Sequence, residues 1–124
     1  MFKPILAFAA MSGLLSVVLG AFGAHGLKAK LTASSLATYQ TGVEYQMTHS
    51  LAMLAVALLV QHVGSRPLLT GSAIAFAVGI VMFSGSLYWL ALGGPRWLGP
   101  ITPLGGLSFI IGWGCLFVAA LRWN

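Results

Sequence analysis

Acidic residues are almost absent from this chain, whose 124 residues include one Asp or Glu against six Lys or Arg. A single carboxylate cannot supply the paired acids that many hydrolases use. The chain also has no HExxH motif, no nucleophile elbow and no phosphate-cradling glycine loop. We therefore expect a protein that is not an enzyme, with no catalytic residue, no metal site and no cofactor.

Cysteine and charge are scarce as well. The only cysteine, Cys115, excludes an intramolecular disulfide. Charged residues make up 6% of the chain and hydrophobic residues 59%, whereas soluble domains carry about 25% charged residues. The basic residues lie scattered at the edges of apolar runs, a placement that suits lipid headgroups rather than nucleic acid. The composition predicts an integral membrane protein without a soluble domain, with the lipid bilayer as its main partner and no nucleic acid partner.

Four apolar runs predict an all-α membrane protein, a four-helix transmembrane bundle that forms one domain over residues 1–124. A crossing helix needs about 20 residues to span about 30 Å of hydrocarbon. The predicted spans cover about 4–24, 44–63, 68–92 and 101–121. The apolar core of the second, 51–60, is too short to cross alone. Its polar beginning is therefore predicted to lie at membrane depth.

The connection between the first two spans is the longest. Within it, Thr32 is placed to cap a short helix that carries Leu36, Tyr39 and Val43 on one side. Such a helix either lies in the membrane interface or runs straight into the second span. Both geometries remain open from the sequence.

Small residues recur at every fourth position in two of the spans, which predicts close helix packing. These residues are Ser12, Ser16, Gly20 and Ala24 in the first span, and Gly71, Ala75 and Gly79 in the third.

Alternating crossings bring the polar ends of all four helices to one side of the membrane, opposite the termini. We predict a polar recess there, with nine candidate members: His25, Glu44, Tyr45, Gln46, His49, Ser84, Ser86, Tyr88 and Thr102. Unpaired polar groups are costly in lipid, so these side chains should face the bundle interior or a water-filled recess. The alternative is that the Ser, Thr and Tyr side chains simply hydrogen-bond neighbouring helices.

The polar residues at the start of the second span lie on two different faces of the helix. Tyr45, Gln46 and His49 share a face, whereas Glu44 points about 140° away from His49. We expect Glu44 to form a salt bridge that secures the helix end. His49 is the strongest functional candidate, because a buried imidazole titrates near neutral pH and can carry protons.

Four ordered motifs carry a family resemblance over most of the chain. They read GAFGAHGLK at 20–28, TGVEYQMTHSLAML at 41–54, FSGSLYWLAL at 83–92 and ITPLGGLSFIIGW at 101–113. The sequence resembles the YgdD-like family of small bacterial inner-membrane proteins, a domain-of-unknown-function family. The resemblance implies a multi-pass protein of the plasma membrane but no reaction, substrate or cofactor. Basic C-terminal tails in similar proteins imply cytoplasmic termini, whereas this chain places three Lys or Arg on each side.

Two functional hypotheses follow. The first is a non-enzymatic binding or accessory protein of the plasma membrane, whose recess takes a small ligand, a lipid or a helix of another membrane protein. The second is a small proton-linked transporter or channel, built as a homo-oligomer because four short helices enclose little volume. Flux across a membrane distinguishes them.

Overall fold

The computed structural model describes all residues 1–124 and contains four helices long and apolar enough to cross a membrane. We name them span 1 (Phe2–Leu27), span 2 (Ala33–Val63), span 3 (Pro67–Ala91) and span 4 (Arg96–Leu121). No strand is present. The predicted all-α fold with four membrane-spanning helices is confirmed.

Span 2 is one continuous α-helix from Ala33, although the sequence placed its start near Glu44. The Oγ1 atom of Thr32 caps it by accepting the backbone N–H of Ser35 at 3.1 Å. Of the two geometries left open, a separate interfacial helix and a segment that runs straight into the second span, the structure shows the second. The reason is packing: the buried ring of Tyr39, with the partly buried side chains of Leu36 and Val43, contacts residues of spans 1 and 3.

Spans 2 and 3 are central, and the two outer helices flank them. Span 1 packs mainly on span 2, and span 4 packs mainly on span 3, with little direct backbone contact between span 4 and span 2. The outer helices bury a smaller share of their surface than the central ones. As a result, a cleft remains between spans 2 and 4, with span 3 as its floor.

Glycines allow spans 3 and 4 to approach closely. A Cβ atom added at Gly112 would lie 2.5 Å from the ring of Phe76, and one added at Gly79 would collide with the ring of Phe109. Each helix thus presents a glycine to an aromatic ring of its partner. Close approach of helices through small residues is the expected mode of packing in lipid.

Two of the spans contain a π-helical segment, Gly23–Leu27 in span 1 and Ile80–Ser84 in span 3. Such segments add a residue to a turn, and they are frequent at functional sites. The segment in span 3 passes Gly105 of span 4, whose missing side chain leaves room for the backbone of Phe83.

Candidate functional site

Most of the predicted recess residues lie inside the helix assembly, on the side opposite the termini. Gln46, His49, Ser84 and Ser86 are buried, with His49 only 4% exposed. Tyr88 and Thr102 are half-buried, whereas the other three candidates, His25, Glu44 and Tyr45, are exposed.

His25 and Glu44 do not join the interior group. His25 is exposed in the π-helical end of span 1, and Glu44 is exposed on the outward side of span 2. The salt bridge expected for Glu44 is absent from the structure. Its carboxylate is exposed, and no basic group lies within 4.0 Å of it.

A chain of hydrogen bonds through Gln46 joins spans 1, 2 and 3. The Nε2 atom of Gln46 donates to the carbonyl of Ser12 at 3.0 Å, and its Oε1 atom accepts the hydroxyl of Tyr88 at 2.5 Å. The hydroxyl of Ser50 donates to the Oγ atom of Ser12 at 2.7 Å. Both ends of the amide are therefore used, and the buried side chain leaves no polar atom without a partner.

The hydroxyls of Ser84, Ser86 and Thr102 also bond across helices. Ser84 donates to the carbonyl of Gly42 at 2.7 Å, which links spans 2 and 3. The hydroxyls of Ser86 and Thr102 lie 2.6 Å apart and link spans 3 and 4. These contacts match the alternative in which such residues connect neighbouring helices, and they satisfy groups that would be costly to leave unpaired in lipid.

His49 uses both of its ring nitrogens. Its Nδ1 atom lies 2.8 Å from the carbonyl of Tyr45, and its Nε2 atom lies 3.1 Å from the indole Nε1 of Trp113. An indole N–H can only donate and a carbonyl can only accept, so the network assigns the neutral tautomer with the proton on Nδ1. In this arrangement a metal or a proton can reach Nε2 only if the hydrogen bond from Trp113 breaks.

Aromatic rings surround His49. Its ring stacks on Phe109 with centroids 3.7 Å apart and planes 13° apart. Tyr45 packs against Phe83 at 4.6 Å, and Phe76 meets the edge of Trp113 at 5.1 Å. The side of span 2 that was predicted to be polar thus faces an aromatic surface contributed by spans 3 and 4.

The cavity at this place, which we call the lateral groove, has a volume of about 570 Å³. Its walls are Tyr45, His49, Phe83, Pro103, Gly106, Leu107, Phe109, Ile110 and Trp113. The volume falls within the range of about 300–1,000 Å³ that is usual for ligand pockets. Leu107 and Ile110 on its rim are 52% and 68% exposed, so the groove opens sideways at the depth of the hydrocarbon. It is mainly apolar, and the predicted polar recess is therefore replaced by paired polar residues beside an aromatic groove.

Sequence reasoning missed Phe83, Phe109 and Trp113. A signal was present, since Gly105, Phe109 and Trp113 follow one another at intervals of four and share a helix face. That face packs on span 3 and reaches over to His49 of span 2.

The comparisons with known proteins agree with the resemblance carried by the four motifs. A family model described as a protein of unknown function (DUF423) matches residues 19–106, which include every predicted recess residue. The UPF0382 membrane protein YwdK of Bacillus subtilis (strain 168) is 43% identical over 121 residues, or 98% of both chains. The UPF0382 inner membrane protein YgdD of Escherichia coli (strain K12) is 46% identical over 118 residues, or 95% of this chain and 89% of its own. No solved structure matches the chain.

Proposed function

Because the chain belongs to the DUF423 family of membrane proteins, whose description assigns no activity, we propose a function from the geometry of the lateral groove. The protein is a non-enzymatic binding protein of the bacterial plasma membrane that holds one lipid-soluble molecule. The observation that carries this proposal is a groove of about 570 Å³, walled by aromatic rings, that opens sideways into the hydrocarbon.

The ligand enters from the bilayer and carries a polar head. An apolar chain alone gains little on entering the groove, since the surrounding lipid is equally apolar. Selectivity must come from the aromatic surface and from a hydrogen bond made in a medium of low dielectric. The ligand class is therefore a molecule with an apolar chain and a hydroxyl or carbonyl head.

Tyr45 is the group that receives this head. It is 43% exposed, so its hydroxyl is accessible from the groove, whereas His49 is committed to its two hydrogen bonds. Tyr45 also lies one helical turn closer to the membrane boundary than His49. The head thus sits near Tyr45, and the chain extends past Phe109 towards Trp113.

The alternative, a proton-linked oligomeric transporter, has less support. It requires a path along which His49 exchanges protons, yet the buried polar side chains pair with each other across the helices. Proteoliposomes separate the two functions. Flux that depends on pH and disappears in His49→Ala would favour transport, and binding without flux supports our proposal.

Fluorescence of Trp113 tests the binding directly. Replacing the three other tryptophans, Trp89, Trp97 and Trp123, by Phe leaves one reporter at the groove. A long-chain alcohol with bromine on its chain should quench this reporter saturably, because bromine quenches on contact. A brominated alkane of equal length has no head and should quench only in proportion to its concentration.

Two glycines of span 4 provide a matched pair of variants for this assay. Gly106 lines the groove with ordinary space around it, so Gly106→Leu fills the cavity and should abolish saturable quenching. Gly114 has no neighbour within 4 Å of an added Cβ, so Gly114→Leu should leave the quenching unchanged. Equal quenching by alcohol and alkane, or no effect of Gly106→Leu, would contradict the proposal.

We also propose that both termini of the chain lie in the cytoplasm. The support is the family resemblance, which implies cytoplasmic termini, since the Lys and Arg residues divide equally between the two sides. A reporter enzyme that is active only in the cytoplasm, fused after Asn124, should be active in cells. Activity of a periplasm-specific reporter at the same position would reverse the orientation.

A further inference from the structure

A second cavity lies at the opposite end of the molecule, beside the termini. Arg66 at the start of span 3 and Arg122 at the end of span 4 line the same cavity of about 260 Å³. The guanidinium carbon of Arg66 lies 5.0 Å from the centre of the Trp123 ring. This cation–π contact orients one of the two arginines within the cavity.

Neither arginine has a carboxylate partner, because the structure contains no salt bridge. The chain's single acidic residue, Glu44, lies about 28 Å from the Val63 end of span 2 by helical rise. Two guanidinium groups that form no salt bridge, either with Glu44 or with the C-terminal carboxylate, favour a phosphate, whose oxygens match their paired donors. Span 3 begins at the same place with no side-chain cap, and although Pro67 has no N–H, the backbone N–H groups of Leu68 and Leu69 add to the positive potential.

An apolar trough continues from this cationic cavity. It has a volume of about 340 Å³ and lies between spans 2, 3 and 4. All of its lining residues are hydrophobic: Leu59, Leu69, Leu116, Ala119, Ala120 and Trp123. Ala119 and Trp123 line both cavities, so the two spaces adjoin.

We propose that these adjoining cavities bind one anionic phospholipid, with its phosphate between Arg66 and Arg122 and an acyl chain in the trough. From the membrane boundary inwards, the site presents first two positive charges and then an apolar trough. This order matches the phosphate and the acyl chain of such a lipid. Arginines that merely anchor a helix at the headgroups need neither a shared cavity nor a trough. Basic pockets between helices are an established form of lipid recognition, and this one does not depend on the ligand of the lateral groove.

Native mass spectrometry of the full chain in detergent micelles tests the site with three separate probes. Phosphatidylglycerol should be retained at least tenfold better than phosphatidylcholine, which has no net charge. Inorganic phosphate, the third probe, should neither bind with comparable affinity nor displace phosphatidylglycerol. Arg66→Gln and Arg122→Gln should each weaken the retention of phosphatidylglycerol about fivefold.

Lys3→Gln is the matched control for charge, since it removes one positive charge at the same end and should leave retention unchanged. Arg122 is exposed, so Arg122→Gln keeps the fold even if loss of the Trp123 contact disturbs Arg66→Gln. Equal retention of the two lipids, or an equal loss in Lys3→Gln, would overturn the proposal.

The trough is tested by filling it. Ala120 is exposed and lines the trough, so Ala120→Phe should block the acyl chain and reduce phosphatidylglycerol retention at least tenfold. Ala10 is an exposed alanine of span 1, and Ala10→Phe should have no effect. Unchanged retention in Ala120→Phe, or inorganic phosphate that binds as well as the lipid, would reduce the site to an anion site and refute lipid binding.

Discussion

The adjacent glycines of span 4, Gly105 and Gly106, should respond in opposite ways to substitution by alanine. A Cβ atom at Gly105 would lie 2.8 Å from both the Cα and the Cβ atom of Phe83 in span 3. This neighbour is backbone and cannot rotate aside, so one of the two spans must shift. A Cβ atom at Gly106 would meet only the ring of Phe83, at 3.8 Å, which is an ordinary contact.

The magnitude follows from two opposing effects. Overpacking costs about 1–3 kcal/mol, and a backbone neighbour places Gly105→Ala near the upper value. Replacing a helical glycine by alanine stabilises the helix by up to about 1 kcal/mol. We therefore expect Gly105→Ala to lower the free energy of unfolding by about 2 kcal/mol, and Gly106→Ala to leave it unchanged or raise it by up to about 1 kcal/mol.

Reversible unfolding by SDS in mixed micelles, followed by circular dichroism, measures both variants. The fluorescence assay adds a functional result, because a displaced Phe83 changes one wall of the lateral groove. Gly105→Ala should thus also weaken the binding of the brominated alcohol. If Gly105→Ala is as stable as Gly106→Ala, spans 3 and 4 are not in the close contact described here, and the shape of the groove has to be rejected.

Three further predictions concern buried polar groups. In a double-mutant cycle, Gln46→Leu and Tyr88→Phe should show a coupling energy of about 0.6 to 1.7 kcal/mol, and strictly additive losses of stability would exclude their hydrogen bond. Ser72 is buried with its hydroxyl unpaired, so Ser72→Ala should leave the free energy of unfolding unchanged or raise it by up to about 1 kcal/mol, whereas a clear loss would reveal a partner. Nitrogen-15 NMR should find His49 protonated on Nδ1, with an Nε2 signal that shifts in Trp113→Phe; a proton on Nε2 would contradict the assignment.

The four spans could be predicted from the sequence because lipid imposes one strong requirement, about 20 apolar residues per crossing. The position at which span 2 begins could not be predicted in this way. Its stripe of Leu36, Tyr39 and Val43 suits a membrane surface as well as a protein interior. The choice depends on Leu27 of span 1 and Ala91 of span 3, which complete the buried cluster around Tyr39 and which the local pattern does not reveal.

The candidate site could be predicted from the sequence to a similar extent. Alternating helix directions were enough to bring Gln46, His49 and Tyr88 to the same end of the assembly. Whether these groups face water or each other depends on helix rotation, which the sequence does not specify. The partner of His49 is the clearest case, because Trp113 is 64 positions away and no local pattern points from one to the other.

Both proposed binding regions follow from the outer position of span 4. This helix packs mainly on span 3, so its side towards span 2 stays open along much of its length. The hydrogen bond between Trp113 and His49 crosses that cleft and forms a wall of the lateral groove. The apolar trough begins at Leu116, within one helical turn of Trp113. Span 4 therefore contributes a wall to both regions, the lateral groove on one side of Trp113 and the apolar trough on the other.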